Sequence, residues 1–428
     1  MDQQLKKQIW KKLPPVAPDP IFVIFGKCQK DPRPEKVNLT VGIYKDEQLQ
    51  PYVIQPIKQL IAELIANDDT SFFDELPEFH WTKTADLLIA EFFDDHNAHY
   101  QKAKTDNRVV VVPCQSGGNG LYNGFELYKH QHGGPVHNSA THPPLVWTSN
   151  PSWPIHNQMI AYHKLDSRSY RYYNPKTNKL DFEGMVEDLS QMRKGDMFLV
   201  QSCGHNPTGF DPSYDQWRIL ADLCLEKQVL VFFDFAYMGF ASGDIAKDSF
   251  SVNLFLERGI EMYITFSCAK NFGLYSCRVG FFMTISKDHS HTTDTLLFLE
   301  RATKQLYGLP TSFGQMVVGS ILSDHKKREY WYEAFRIMFN RLFQMRTELK
   351  NELRNLGSLL DWTFLTEQSG MFAYTGLSEG EIEELQEKFA VFMLKSGRIS
   401  IAGLNHQNVG LVAKAFHEVT KNRPLAQH

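Results

Sequence analysis

Residues 267–280 read SCAKNFGLYSCRVG and place one lysine, Lys270, among small and apolar residues directly after the apolar run MYITFS. A lysine amine acts as nucleophile and base only when its pKa is depressed, which burial beside another cation achieves. Arg278, eight residues on, and Ser267 supply a guanidinium fork and a hydroxyl suited to a phosphate; taken alone, Arg278 equally suits a surface ion pair. Asp234 ends the apolar run VLVFFD, where an ionised carboxylate needs a positive partner. A protonated heterocyclic nitrogen would supply one, and Tyr237 could reach the same ring; a helix N-cap is the other reading of Asp234.

Further candidates stand after other apolar runs. SGGNG (116–120) follows VVVVP and precedes a helix-like stretch, so the amides of Gly117, Gly118 and Asn119 could cradle an anion at a helix N-terminus. A structural turn explains these glycines as well, and they match neither GxGxxG nor GxxxxGK[ST]. Trp153, after PLVWTS, could stack on a flat ligand or be an ordinary core aromatic. His156 is read as a support behind the site. Cys203 and His205 are too close and too isolated for a zinc site.

The elements that must position these residues are short, nearly continuous apolar runs at 109–113, 144–149, 197–202, 229–234, 262–267 and 279–285. Runs without alternation suit strands buried on both faces, hence a parallel sheet covered by helices. The stretch 213–228 is an amphipathic helix with Ser213 as N-cap. Strand–helix alternation over 52–335 predicts a large α/β doubly wound domain. A long helix over 328–357, then GMFAYTGL and a helix over 379–396, predict a smaller α+β domain of residues 17–51 and 336–428, with residues 1–16 as an N-terminal arm. In open α/β sheets ligands bind beyond the carboxyl ends of the strands, and five of these runs end in glycines, polar side chains or charges. That convergence predicts one composite pocket.

Bulk properties set limits. The chain has 428 residues, 43% hydrophobic and 22% charged, with a net charge of −4, which gives no reason to expect nucleic acid or a membrane surface as partner. It has no apolar run long enough for a membrane span, and its N-terminus lacks the pattern of a signal peptide. Six scattered cysteines without CxxC point to a reducing, cytoplasmic setting, and no metal is expected.

HNPTG (205–209), DFAYMGF (234–240), SCAKNFGLYSCRVG, GMFAYTGL (370–377) and SGRISIAGL (396–404) together resemble the class I aspartate/aromatic aminotransferases, pyridoxal-phosphate enzymes of fold type I. NLTVGIYKDE (38–47) and NPSWPIHN (150–157) extend the likeness over nearly the whole chain. The resemblance implies amino-group transfer between an L-amino acid, aspartate or aromatic, and a 2-oxo acid such as 2-oxoglutarate, by a ping-pong course. It implies pyridoxal 5′-phosphate as cofactor and a homodimer with active sites at the subunit interface. Lys270 would carry the cofactor and shuttle the proton, and Asp234 would keep the ring nitrogen protonated. Asn206 and Tyr237 would bond the ring oxygen, and Trp153 would stack on the ring. Ser267, Arg278 and the amides of Gly117–Asn119 would hold the phosphate. Arg398 would take the substrate α-carboxylate, with Gly42 at the pocket mouth and Phe372 beside the substrate.

Some positions depart from the family pattern. Lys304 stands where a partner-subunit arginine usually binds a side-chain carboxylate, Leu309 replaces an asparagine, and Arg301 lies one helical turn before Lys304. Lysine lacks the guanidinium fork, so aromatic amino acids are expected to compete well with aspartate. The partner-subunit tyrosine for the phosphate has no counterpart in TSFFDEL (70–76), and Ala269 and Asn119 replace a serine and a threonine. Two other readings fit less well. Ser267–Lys270 is an S-x-x-K, but the KTG and downstream SxN of penicillin-binding proteins are missing. A non-catalytic cofactor-binding regulator would be expected to attach a basic helix-turn-helix, and no such stretch is present.

Overall fold

The computed structural model describes residues 13–67, 78–93, 97–132 and 143–423. Its centre is a seven-stranded sheet built from β1 (Val109–Cys114), β2 (Val146–Asn150), β3 (Ser167–Arg171), β4 (Met197–Gln201), β5 (Leu230–Phe235), β6 (Met262–Ser267) and β7 (Gly280–Ile285). The spatial order is β1-β7-β6-β5-β4-β2-β3. The pairs among β3, β2, β4, β5 and β6 are parallel, whereas β7 runs antiparallel to both β6 and β1.

The six apolar runs become strands, and four of them are buried at every residue, apart from a half-buried Leu230. Burial on both faces is the reason they do not alternate. The antiparallel β7 has a local cause. The segment between Ser267 and Gly280 holds only the single helical turn Cys268–Asn271, too short for a crossover, so the chain turns back beside the strand it has left. Lys270 sits on that turn. The edge strand β3, SRSYR, is largely exposed; it carries no apolar run and was not foreseen.

Helix α1 (Gly117–His132) follows β1 directly and packs on the sheet. Helix α2 (Tyr214–Lys227) starts at the expected Ser213, whose hydroxyl accepts from the Gln216 amide while the Gln216 side chain accepts from the Ser213 amide, a capping box. Helix α3 (Thr292–Tyr307) lies against β1. Helix α4 (His325–Asn355) is continuous across residues 335–336, so no break in the chain marks the expected edge of the large unit. The expected helix over 379–396 ends earlier, spanning Glu379–Phe389. Ala390 turns it off in the left-handed region and Val391–Phe392 pairs in parallel with Val37–Asn38. Residues 372–374 form β8 (Phe372–Tyr374), antiparallel to β9 (Arg398–Ser400), with Tyr374 opposite Arg398. The segment TSFFDEL and residues 1–12 of the arm lie outside the described residues.

Candidate active site

The loops beyond the carboxyl ends of β1, β2, β4, β5 and β6 meet in one place. Lys270 is half-buried in its turn, its Nζ 5.0 Å from the centroid of the Tyr237 ring. Burial lowers its pKa, the Asp234 carboxylate opposes that, and the Arg278 charge lowers it further. These are the two influences expected of a reactive amine. Arg278 is exposed, and its backbone lies in the left-handed region at φ 56°, a strained conformation for a residue with a side chain. Its guanidinium donates to the Tyr275 carbonyl at 3.1 Å.

Asp234 is buried at the end of β5, and its Oδ2 accepts from His156 Nε2 at 2.9 Å. The other ring nitrogen of His156 faces Ser152 Oγ at 2.8 Å. Held at both ring nitrogens, His156 fixes the direction in which the acid points. Trp153 caps the helix that carries His156, its ring edge-on to that imidazole at 5.5 Å.

At the start of α1, the Asn119 amide is held by Ser116 Oγ and the Gly120 amide by the Ser116 carbonyl. Gly117 lies close against Ser267, where an added Cβ would stand 3.3 Å from the serine Cβ. Ser267 Oγ accepts from the Ala269 amide at 3.3 Å, which leaves its own proton free to donate. The helix N-terminus and the hydroxyl thus lie side by side, and the charge of Arg278 acts on Lys270 in the same neighbourhood.

Arg398 is buried. Its Nη2 donates to the Thr40 carbonyl at 2.7 Å and its Nη1 to Asn206 Oδ1 at 3.4 Å, while Nε is buried without a partner. The guanidinium lies over Phe372 at 4.3 Å, and Phe372 meets the Tyr237 ring edge-on at 6.0 Å. Burial draws the Arg398 pKa down to about 10. Among the described residues no carboxylate forms an ion pair with it, and a buried fork in that state is a site for an incoming carboxylate. Gly42 touches the same ring, since a Cβ there would stand 2.7 Å from Phe372 Cζ.

The family of this assembly is decided by comparison. The model for class I and II aminotransferases matches residues 34–416. The mitochondrial aspartate aminotransferase of Arabidopsis thaliana is 35% identical over 413 residues, 96% of this chain and 92% of that one. The chain belongs to the class I and II aminotransferases. Its activity is amino-group transfer and its cofactor pyridoxal 5′-phosphate. Among solved structures, the broad-specificity aminotransferase of Leishmania mexicana is 33% identical with a TM-score of 0.87, covering 96% of this chain and 98% of that one. The aromatic-amino-acid aminotransferase of Burkholderia pseudomallei, covalently bound to pyridoxal phosphate, is 26% identical with a TM-score of 0.87, covering 96% and 100%.

The residues of this aminotransferase fit the cofactor: an amine of lowered pKa, a buried acid oriented by His156, and a helix N-terminus with a hydroxyl beside it and an arginine nearby. Lys304 is exposed near the end of α3, as are Arg301 and Leu309. Among the described residues Lys304 makes no side-chain hydrogen bond or ion pair with the site. Tyr307, one turn later, donates to the Pro113 carbonyl at 3.2 Å and ties this helix end to β1.

Four contributors were missed in the sequence. Gln201 brackets Asn206, donating to its carbonyl at 3.0 Å and accepting from its amide at 2.8 Å. Asp211 accepts from the Gly204 and His205 amides. His205 lies between Ser149 and Thr208 and stacks on Tyr172 at 3.9 Å, and burial drives its pKa well below the ordinary range. Thr40 acts through its carbonyl, which no side-chain pattern reveals. For Gln201 and Asp211 the signal was available: a polar residue at the end of an apolar run, and an acid two residues after a glycine.

Proposed function

We propose that the protein exchanges amino groups between L-aspartate or aromatic L-amino acids and 2-oxo acids such as 2-oxoglutarate, with aromatic substrates competing well against aspartate. The observation that carries the reading is the combination of Arg398, a buried fork without an acid, with Lys304 and Leu309 at an exposed helix end. The first takes the α-carboxylate common to all amino acids. The second offers a point charge and an apolar side chain, where recognition of a second carboxylate favours a planar guanidinium.

Pyridoxal phosphate supplies an electron sink for the charge that develops at the substrate Cα. The chain's own residues do the remainder. Lys270 would anchor the cofactor and carry the proton to and from the substrate carbon. Asp234, oriented by His156, would keep the ring nitrogen protonated. Asn206 and Tyr237 would bond the ring oxygen, and Trp153 would cover the ring face. Ser267, Arg278 and the amides of Gly117 and Gly118 would hold the phosphate, with the Asn119 amide joining them by leaving Ser116 Oγ. Arg398 would grip the α-carboxylate, with Phe372 and Gly42 shaping the space around it. Lys304 would act on the substrate side chain of the neighbouring subunit in a homodimer, a reading supported by the exposed Leu306 and Leu309 beside it.

For compartment we propose the cytoplasm, supported by six unpaired cysteines; the Arabidopsis relative is named as mitochondrial. No described helix is long and apolar enough to cross a membrane. A panel of L-amino acids with 2-oxoglutarate as acceptor tests the substrate reading. It expects phenylalanine and tyrosine within about tenfold of aspartate in kcat/KM, the scale of losing one good charge-assisted contact. Preference for aspartate by orders of magnitude would refute it.

A further inference from the structure

Two turns meet beside the substrate arginine, and they touch backbone to backbone. One runs from Gly204 to Asp211 and carries Asn206; the other runs from Gln368 to Phe372 and leads into β8. Gly204, Gly209 and Gly370 have φ of 62°, 70° and 73°. A Cβ on Gly370 would stand 3.1 Å from Gly204 Cα, and one on Gly209 would stand 2.8 Å from the Phe372 carbonyl oxygen. Where the glycines face the opposite turn the backbones approach closely, and hydrogen bonds tie the two turns together. The Ser369 amide donates to the Gly209 carbonyl at 2.6 Å. Ser369 Oγ donates to Asp211 Oδ2 at 3.0 Å, and the same Oδ2 accepts from the Gly204 amide at 2.7 Å while Oδ1 accepts from the His205 amide at 3.0 Å. Asp211 forms no ion pair among the described residues, so its carboxylate is committed to these neutral donors.

The far side of the second turn is fixed as well. Arg346, buried in α4, directs its guanidinium to the carbonyls of Leu365, Ser369, Gly370 and Phe372 at 2.5–3.2 Å. The turn is thus held by its carbonyls from one side and by its serine from the other. The contacts close a ring. Ser369 leads to Phe372, Phe372 packs on Arg398, Arg398 bonds Asn206 Oδ1, and Asn206 follows the two amides that Asp211 holds.

We propose that Ser369 and Asp211 are positioning residues, a latch that sets Arg398 at the height needed to receive the α-carboxylate. The inference rests on the substrate role given to Arg398 above. Asp211 is an acid because two oxygens are needed for three donors, a demand an amide with one acceptor oxygen cannot meet.

The test is steady-state kinetics of the holoenzyme with Ser369→Ala, Ser369→Thr, Asp211→Asn and the Ser369→Ala/Asp211→Asn double variant, beside Tm. Ser369→Ala is expected to raise KM for both the amino acid and the oxo acid about 5- to 10-fold with kcat within twofold, the loss typical of one hydrogen bond. Ser369→Thr keeps the hydroxyl and is expected to restore KM to within twofold. The double variant is expected to lose no more kcat/KM than the worse single one, because the two act through each other. The latch is overturned by unchanged KM in Ser369→Ala, by a lowered Tm with no change in KM, by failure of threonine to restore KM, or by additive losses in the double variant. If Asp211→Asn does not fold, the alanine–threonine pair decides alone. An active wild type with unaffected variants removes the latch only, whereas a wild type inactive across the amino-acid panel removes both the latch and the function on which it rests.

Discussion

Gly42→Ala puts the geometry around Arg398 to a direct test. The added carbon would stand 2.7 Å from Phe372 Cζ and 3.2 Å from Cε1, against an ordinary carbon–carbon contact of about 3.5–4.0 Å. The ring must therefore retreat by about 1 Å. It has little room: Phe372 is 2% exposed, lies 4.3 Å from the Arg398 guanidinium and meets Tyr237 at 6.0 Å. Overpacking of this kind costs about 1–3 kcal/mol, and a displacement near 1 Å in a binding group lowers turnover efficiency by up to about 100-fold. The expected result is a 10- to 100-fold fall in kcat/KM, about that scale for every amino acid because all share the α-carboxylate, and carried mainly by KM. Gly42→Ala in a Phe372→Leu background is expected to cost much less, since the clashing ring is gone. A Gly42→Ala enzyme with kcat/KM within twofold of wild type would show that Phe372 does not transmit position to Arg398.

Lys304→Arg is expected to raise kcat/KM for aspartate relative to phenylalanine by about tenfold, through a bidentate contact that lysine cannot make; unchanged aspartate kinetics would remove Lys304 from the substrate site. Lys270→Arg, which keeps charge but not a titrating amine, is expected to lower turnover by at least about 1,000-fold with the fold intact by circular dichroism, and retention of a tenth of the activity would exclude Lys270 as the proton carrier. Asp248 predicts a pH effect on stability. It accepts from the Gly239 and Ala241 amides and from Ser242, and burial raises its pKa from 3.8 to about 7. An acid raised on folding keeps its proton longer in the native state, so its stabilisation is complete below about pH 4 and lost as pH rises through about 7, with an upper bound of about 4 kcal/mol. Wild type minus Asp248→Asn, compared by denaturant unfolding at pH 5 and pH 7.5, should shrink with rising pH; a pH-independent difference would contradict it.

What was legible in the sequence follows from burial on both faces. The strands that carry Asp234 and Lys270 are so apolar that a charge at their ends stands out, and the strand-end rule then gathers the remaining loops. The edge strand Ser167–Arg171 was not legible because only one of its residues is buried. The end of the helix at Phe389 was not legible either, since Ala390 enters the left-handed region without a glycine to announce it. Groups acting through their backbone, such as the Thr40 carbonyl on Arg398, leave no trace in residue type. The antiparallel return of β7 was not legible either: the dozen residues between Ser267 and Gly280 stand at the lower limit of a crossover, and it is the shortness of the helix they form, Cys268–Asn271, that decides.

The way the site is hung from the sheet explains why these particular residues work together. Gln201 of β4 pairs in register with Asp234 of β5, and Asp234 with Thr265 of β6, so the three side chains lie in one row on one face of the sheet. Each holds a different wall of the pocket. Gln201 brackets Asn206, Asp234 holds His156 on the helix that Trp153 caps, and Thr265 Oγ1 donates to the Gly117 carbonyl at 2.9 Å. Gly120 must be glycine for the last contact, because a Cβ there would overlap Thr265 Oγ1. A slip of one residue in either strand pair would turn its side chain to the opposite face and detach one wall from the others. The placement of Asn206, His156 and Gly117 relative to one another therefore depends on one shared feature, the register of three parallel strands. That register is itself enforced by the apolar residues on both faces, which makes the stability of the core and the alignment of the site the same physical requirement.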